Sequence, residues 1–78
     1  MARLRLFAQA REAAGNGRID VPDGTVSSVL QFATQTFGEQ FGEVVAASQI
    51  WVNGEPADPA TAVGPNDEVA VLPPVSGG

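Results

Sequence analysis

Polar and apolar residues alternate through Arg3-Leu4-Arg5-Leu6-Phe7, the pattern of a half-buried strand, with Leu4 and Leu6 on the core side. An Ala-rich segment from Ala8 to Gly15 predicts a helical turn ending at Gly15, and Asn16-Gly17 adds a turn signal. Arg18-Ile19-Asp20-Val21 alternates again and closes a hairpin with the first strand, ending at Pro22-Asp23-Gly24. Thr25 then offers a helix N-cap. Val26, Val29, Leu30, Ala33 and Phe37 follow at i, i+3, i+4, i+7 and i+11, one apolar helix face stopped by Gly38. Phe32 lies off that face. Glu39 to Ser48, with Phe41, Val44 and Val45, gives a weaker pattern for a short second helix. Gln49-Ile50-Trp51-Val52 is a third strand, Asn53-Gly54 a tight-turn signal, and Glu55 to Ala57 a brief return. Asp58 to Val63 reads as irregular, Gly64 to Asp67 as a turn, and Glu68 to Leu72 as the last strand.

The order is strand, strand, helix, strand, strand. In so short a chain the economical solution is an α+β fold, one mixed sheet with one main helix across one face. The helix is then the right-handed crossover from the second strand to the third. The β-grasp, or ubiquitin-like, fold satisfies this order, with the first and last strands parallel at the sheet centre. Residues 1–72 are expected to form this domain and residues 73–78 an extended tail.

Composition narrows the chemistry. The 78 residues suffice for one small domain, which buries only about 60 % of its unfolded surface. Nine acids against four arginines give a net charge of -5, which argues against nucleic acid as a partner. There is no cysteine, histidine or lysine, so the common nucleophiles and general bases are nearly all missing; acids and hydroxyls remain, with no pairing that reads as a catalytic site. No apolar segment is long enough for a membrane span, and no signal-peptide pattern precedes the first strand, so a cytoplasmic protein is the default expectation.

The remaining candidate reagent is the end of the chain, Pro73-Pro74-Val75-Ser76-Gly77-Gly78. Two prolines cannot extend the strand ladder, so the last strand stops near Leu72. At about 3.3 Å per residue, six extended residues reach about 20 Å beyond it. The prolines make a stiff stem, and glycines without Cβ make a tip that fits a narrow channel. A frayed terminus is the plain alternative.

Asn66-Asp67-Glu68-Val69-Ala70-Val71-Leu72-Pro73-Pro74-Val75-Ser76-Gly77-Gly78 resembles the C-terminus of the small subunit of molybdopterin synthase. Leu6-Phe7-Ala8-Gln9-Ala10-Arg11-Glu12-Ala13-Ala14-Gly15 resembles that family's first strand and the turn after it, and Val52-Asn53-Gly54 also fits. The resemblance implies a sulfur carrier with no permanently bound cofactor. A ubiquitin-activating-type enzyme would use ATP to adenylate Gly78, and sulfur would replace AMP to give a thiocarboxylate. Gly77 would let the tail enter the large subunit, a heterotetramer being expected, where sulfur passes to a cyclic pyranopterin. The chemistry suits a terminal carboxyl: with a pKa of about 3.5 it is an anion at pH 7 and a poor electrophile, and adenylation supplies a leaving group.

Three other readings share the fold: a sulfur carrier for thiazole or cysteine synthesis, a protein modifier forming isopeptide bonds, and a plain binding module with an idle tail. Strand alternation adds a partner surface. If Leu4, Leu6, Ile50, Val52, Val69 and Val71 face the helix, then Phe7, Trp51 and Leu72 share the open face near the tail. They are expected to dock the adenylating enzyme and the large subunit, with Pro73, Pro74 and Val75 leading into the channel. The competing expectation is that Glu39 to Ser48 folds over Trp51.

Overall fold

The computed structural model describes residues 1–74. Three of the expectations above, for Val75, Gly77 and Gly78, lie outside the described residues.

Chain order is β1 (Ala2–Leu6), α1 (Ala8–Ala14), β2 (Arg18–Val21), β3 (Gly24–Thr25), α2 (Val26–Phe37), α3 (Glu39–Ala46), β4 (Gln49–Val52), β5 (Glu55–Pro56), β6 (Ala62–Val63) and β7 (Glu68–Leu72). Five strands form one mixed sheet in the order β2-β1-β7-β4-β5. β1 and β7 run parallel at its centre, with Leu4 opposite Val69 and Leu6 opposite Val71. The flanking pairs, β1 with β2 and β4 with β7, are antiparallel. This is the β-grasp arrangement that the element order implies.

The core follows from the two periodicities. Ala2, Leu4 and Leu6 of β1, Val21 of β2 and Val69 and Val71 of β7 are buried on one face of the sheet. Val26, Val29 and Ala33 of α2 are buried against them, while Leu30 and Phe37 sit half-buried at the margin. Phe32, off that stripe, is 37 % exposed.

The weakly patterned segment forms α3, which packs on α1 and α2 rather than across the open sheet face. It contributes Phe41, a fully buried core ring whose centroid lies 5.2 Å from that of Phe37. Gly42 permits the contact with α2, since a Cβ there would stand 2.9 Å from the Thr34 methyl.

The sequence and the structure differ at two places. β1 ends at Leu6, and Phe7, still extended at φ -124° and ψ 154°, caps α1 instead of closing the strand. The stretch from Asp58 to Val63 contains β6, which pairs antiparallel with β3 to form a second, two-stranded sheet. This loop also serves α2. The Val26 N–H donates to the Thr61 carbonyl at 2.9 Å and the Ser27 N–H to the Pro59 carbonyl at 3.0 Å. The Ser28 N–H donates to Thr25 Oγ1 at 3.1 Å, and the Thr25 N–H to Ser28 Oγ at 2.9 Å, a capping box. The orphan N–H groups of the first helical turn therefore find acceptors in Thr25 and in the 58–63 loop.

Candidate functional site

The open face of the five-stranded sheet is built by alternation. Leu4, Leu6, Ile50, Val52, Val69 and Val71 pack on the core, so their strand neighbours point to the other side. Register then sets a row across that face: Arg18, Arg5, Ala70, Trp51 and Pro56, one residue from each strand. Ala70 is the small central residue, flanked by Arg5 on β1 and Trp51 on β4.

Phe7, Trp51 and Leu72 stand apart from the core cluster. Phe7 is 36 % exposed, and Trp51 and Leu72 are half-buried. The parallel register ends with Leu6 opposite Val71, so Phe7 and Leu72 are each the next residue at the end where β7 leaves the sheet. Trp51 is one row further in, its indole N–H donating to Gln49 Oε1 at 3.3 Å, and α3 does not cover it. Pro73 is half-buried and Pro74 exposed, and the stem continues from the end of the central strand β7.

Charge accompanies this patch in a way that spacing along the chain does not show. The Arg5 guanidinium lies 5.2 Å from the centre of the Phe7 ring, within cation–π range. Arg5 also approaches Glu68 at 3.7 Å, both side chains being well exposed. Beyond Phe7 an open cleft of about 440 Å³ is lined by Arg5, Phe7, Arg11, Gly17 and Arg18 among others. The three arginines come from β1, α1 and β2; the β1–β2 register sets Arg5 opposite Arg18, and the packing of α1 brings Arg11 to them. Among the described residues, no group of three or more His, Cys, Asp or Glu side chains is placed to hold a metal ion. Nor is any helix there long and apolar enough to cross a membrane.

At the opposite end of the sheet, Asn53 and Asp67 lock two turns together. Asn53 Nδ2 donates to Asp67 Oδ1 at 2.8 Å, and the Gly64 N–H donates to Asp67 Oδ2 at 2.8 Å. These bonds, the backbone one first, hold the Asp67 carboxyl below its ordinary value of 3.8. This end fixes the start of β7, whereas the patch surrounds its exit.

Comparison with known proteins bears out the fold. The sequence model of the ThiS family matches residues 4–78. Small archaeal modifier protein 1 of Haloferax volcanii is 36 % identical over 95 % of this chain and 97 % of its own length. Its crystal structure superposes with a TM-score of 0.78, covering 99 % of this chain and 98 % of that one at 34 % identity. The solution structure of small archaeal modifier protein 1 from Methanosarcina acetivorans gives a TM-score of 0.87 at 27 % identity, over 99 % of this chain and 95 % of that one. A putative molybdopterin converting factor subunit 1 from Pyrococcus furiosus gives 0.78 at 28 % identity, over 95 % and 97 %. The chain belongs to the ThiS family of ubiquitin-like sulfur carriers.

Proposed function

We propose that this protein carries sulfur for molybdenum cofactor biosynthesis, with Gly78 as the carrying residue. An adenylating enzyme of the ubiquitin-activating type joins the Gly78 carboxylate to AMP from ATP, releasing pyrophosphate, and a sulfide-level sulfur nucleophile then displaces AMP to leave a thiocarboxylate. The loaded tail enters the large subunit of molybdopterin synthase and gives its sulfur to a cyclic pyranopterin. Phe7, Trp51 and Leu72 dock both partners in turn, while Pro73, Pro74 and Val75 line the way in and Gly77 keeps the tip narrow.

The observation that carries this reading is the exit of β7. The central strand ends at Leu72 and runs into Pro73-Pro74 beside an apolar patch on the uncovered sheet face. That arrangement sets a stiff stem at the end of the central strand, next to the proposed docking patch, and supports this reading over a free surface loop. The similarity to the Pyrococcus furiosus protein supports the pathway. The higher identity to a protein named as a modifier favours a second reading, in which the same activated glycine is joined to lysines of other proteins.

Intact mass spectrometry after incubation with the adenylating enzyme, ATP and a sulfur source decides between them. Exchange of one oxygen for sulfur at the C-terminus is the expected result, lost on deleting Gly78 or adding a residue after it. Isopeptide-linked adducts without that exchange would establish the modifier instead.

A further inference from the structure

We infer that the arginine cleft beside Phe7 is the electrostatic half of the docking surface and takes a carboxylate-rich segment of the protein that receives the tail. Three of the chain's four cations, Arg5, Arg11 and Arg18, line this one cleft, in a protein whose net charge is -5. Arg11 suits the last turn of α1, but folding gives no reason to set Arg5 opposite Arg18. Arg5 and Arg18 are directly opposed across the β1–β2 ladder, and like charges in that relation oppose strand pairing. Among the described residues neither Arg11 nor Arg18 has an acidic side chain within ion-pair distance, and Arg5 has only the exposed contact with Glu68. A bound anion converts the opposed pair from a cost into a site, since each guanidinium offers up to five N–H donors in a planar fork that suits carboxylates.

The surroundings of the cleft select a protein segment over a free anion. One wall is the exposed Phe7 ring, and Phe7 and Leu72 each follow the last β1–β7 register pair, Leu6 and Val71. An occupant that satisfies the whole surface carries acidic side chains beside apolar ones. The cleft also adjoins the point where β7 leaves the sheet, so a segment seated there sits next to the channel that takes the tail. The negative charge elsewhere on the domain repels an acidic partner, and the cleft thereby sets the orientation of approach. The identity of the docking protein rests on the function proposed above; the chemistry of the cleft does not.

Two measurements test this. In the first, side-chain Nε–Hε signals of the arginines are followed by NMR during titration with a synthetic peptide alternating Glu and Leu, with its Lys–Leu counterpart and with inorganic phosphate. Shifts of Arg5, Arg11 and Arg18 with the Glu–Leu peptide alone are expected. No shift, or shifts with phosphate but not with the peptide, overturns the docking site. No activating enzyme is involved, so failure here leaves the sulfur-carrier reading standing.

The second measurement is stopped-flow association with the synthase large subunit, the protein proposed to receive the tail. The double variant Arg11→Glu, Arg18→Glu should associate about tenfold more slowly than wild type at low salt, with the gap closing at high salt. Its melting temperature should not fall, because Arg18→Glu places opposite charges across from each other at Arg5. Equal rates at low salt, or a slower rate accompanied by a lower melting temperature, would count against the proposal.

Discussion

The Asn53 amide and the Asp67 carboxylate meet at 2.8 Å across 14 residues of sequence, joining the turn after β4 to the turn before β7. Asn53 sits in the left-handed region at φ 52° and Gly54 follows at φ 83°, as a tight hairpin turn requires. The Asn53 Oδ1 accepts from the Glu68 N–H at 3.0 Å, so the same amide also holds the first residue of β7. The Gly64 N–H and the Asn53 amide favour the ionised form of Asp67, which lowers its folded pKa. A depressed carboxyl contributes stability above its unfolded value, and that contribution is lost as pH falls from near 3.8 through the lower folded value. Asp67→Asn should therefore lower the melting temperature at pH 7 and flatten its decline below pH 4. Thermal melts at pH 7 and at about pH 3 check both; parallel curves for the two proteins would refute the assignment.

The reciprocal bonds of Thr25 and Ser28 cap α2 at its N-terminus. Removing a Thr cap costs about 1 kcal/mol, which in a domain of this size shifts melting by about 4–8 °C. Thr25→Ala should show that loss. Thr25→Ser keeps the Oγ acceptor and should retain most of it, so equal melting temperatures for the Ala variant and wild type would remove the cap from the account.

Phe41 is a further point of stability. Its ring is fully buried between α3 and the core, beside Phe37. Phe→Ala in such a site costs about 3–5 kcal/mol, a large share of the stability of a small domain. Urea unfolding of Phe41→Ala should show the midpoint falling steeply, whereas Phe32→Ala, on the exposed side of α2, should leave it nearly unchanged.

The sequence made some of these features plain and others invisible, for physical reasons. β2, α2, β4 and β7 have the bounds their patterns imply, because each is long enough to show a period of 2 or 3.6. In α3, Phe41, Val44 and Val45 hold helical spacing, but eight residues with Gly42 inside make a faint signal. β3 and β6 have two residues each, too few to alternate, and their pairing joins Gly24 to Val63. The apolar patch was readable because alternation within a strand fixes the face. The arginine cleft was not, since positions 5, 11 and 18 belong to three elements that only tertiary structure brings together.

Phe7 and Leu72 separate binding from folding. Both stand outside the core cluster, and each follows the last β1–β7 register pair, near where the chain leaves β7. Leu6 and Val71, one residue earlier on each strand, point the other way and are buried at 2 % and 0 % exposure. Truncating a large apolar anchor at an interface centre costs about 2 kcal/mol, roughly thirtyfold in affinity. Removing a buried leucine side chain costs about 2–5 kcal/mol of stability. Phe7→Ala and Leu72→Ala should therefore weaken binding to the synthase large subunit about thirtyfold while melting close to wild type. Leu6→Ala should melt well below wild type, and its remaining folded fraction should bind with nearly normal affinity. Titration calorimetry beside thermal melts separates the two effects. Undiminished affinity in both Phe7→Ala and Leu72→Ala would show that the open face is not the docking surface and leave the tail to carry recognition alone.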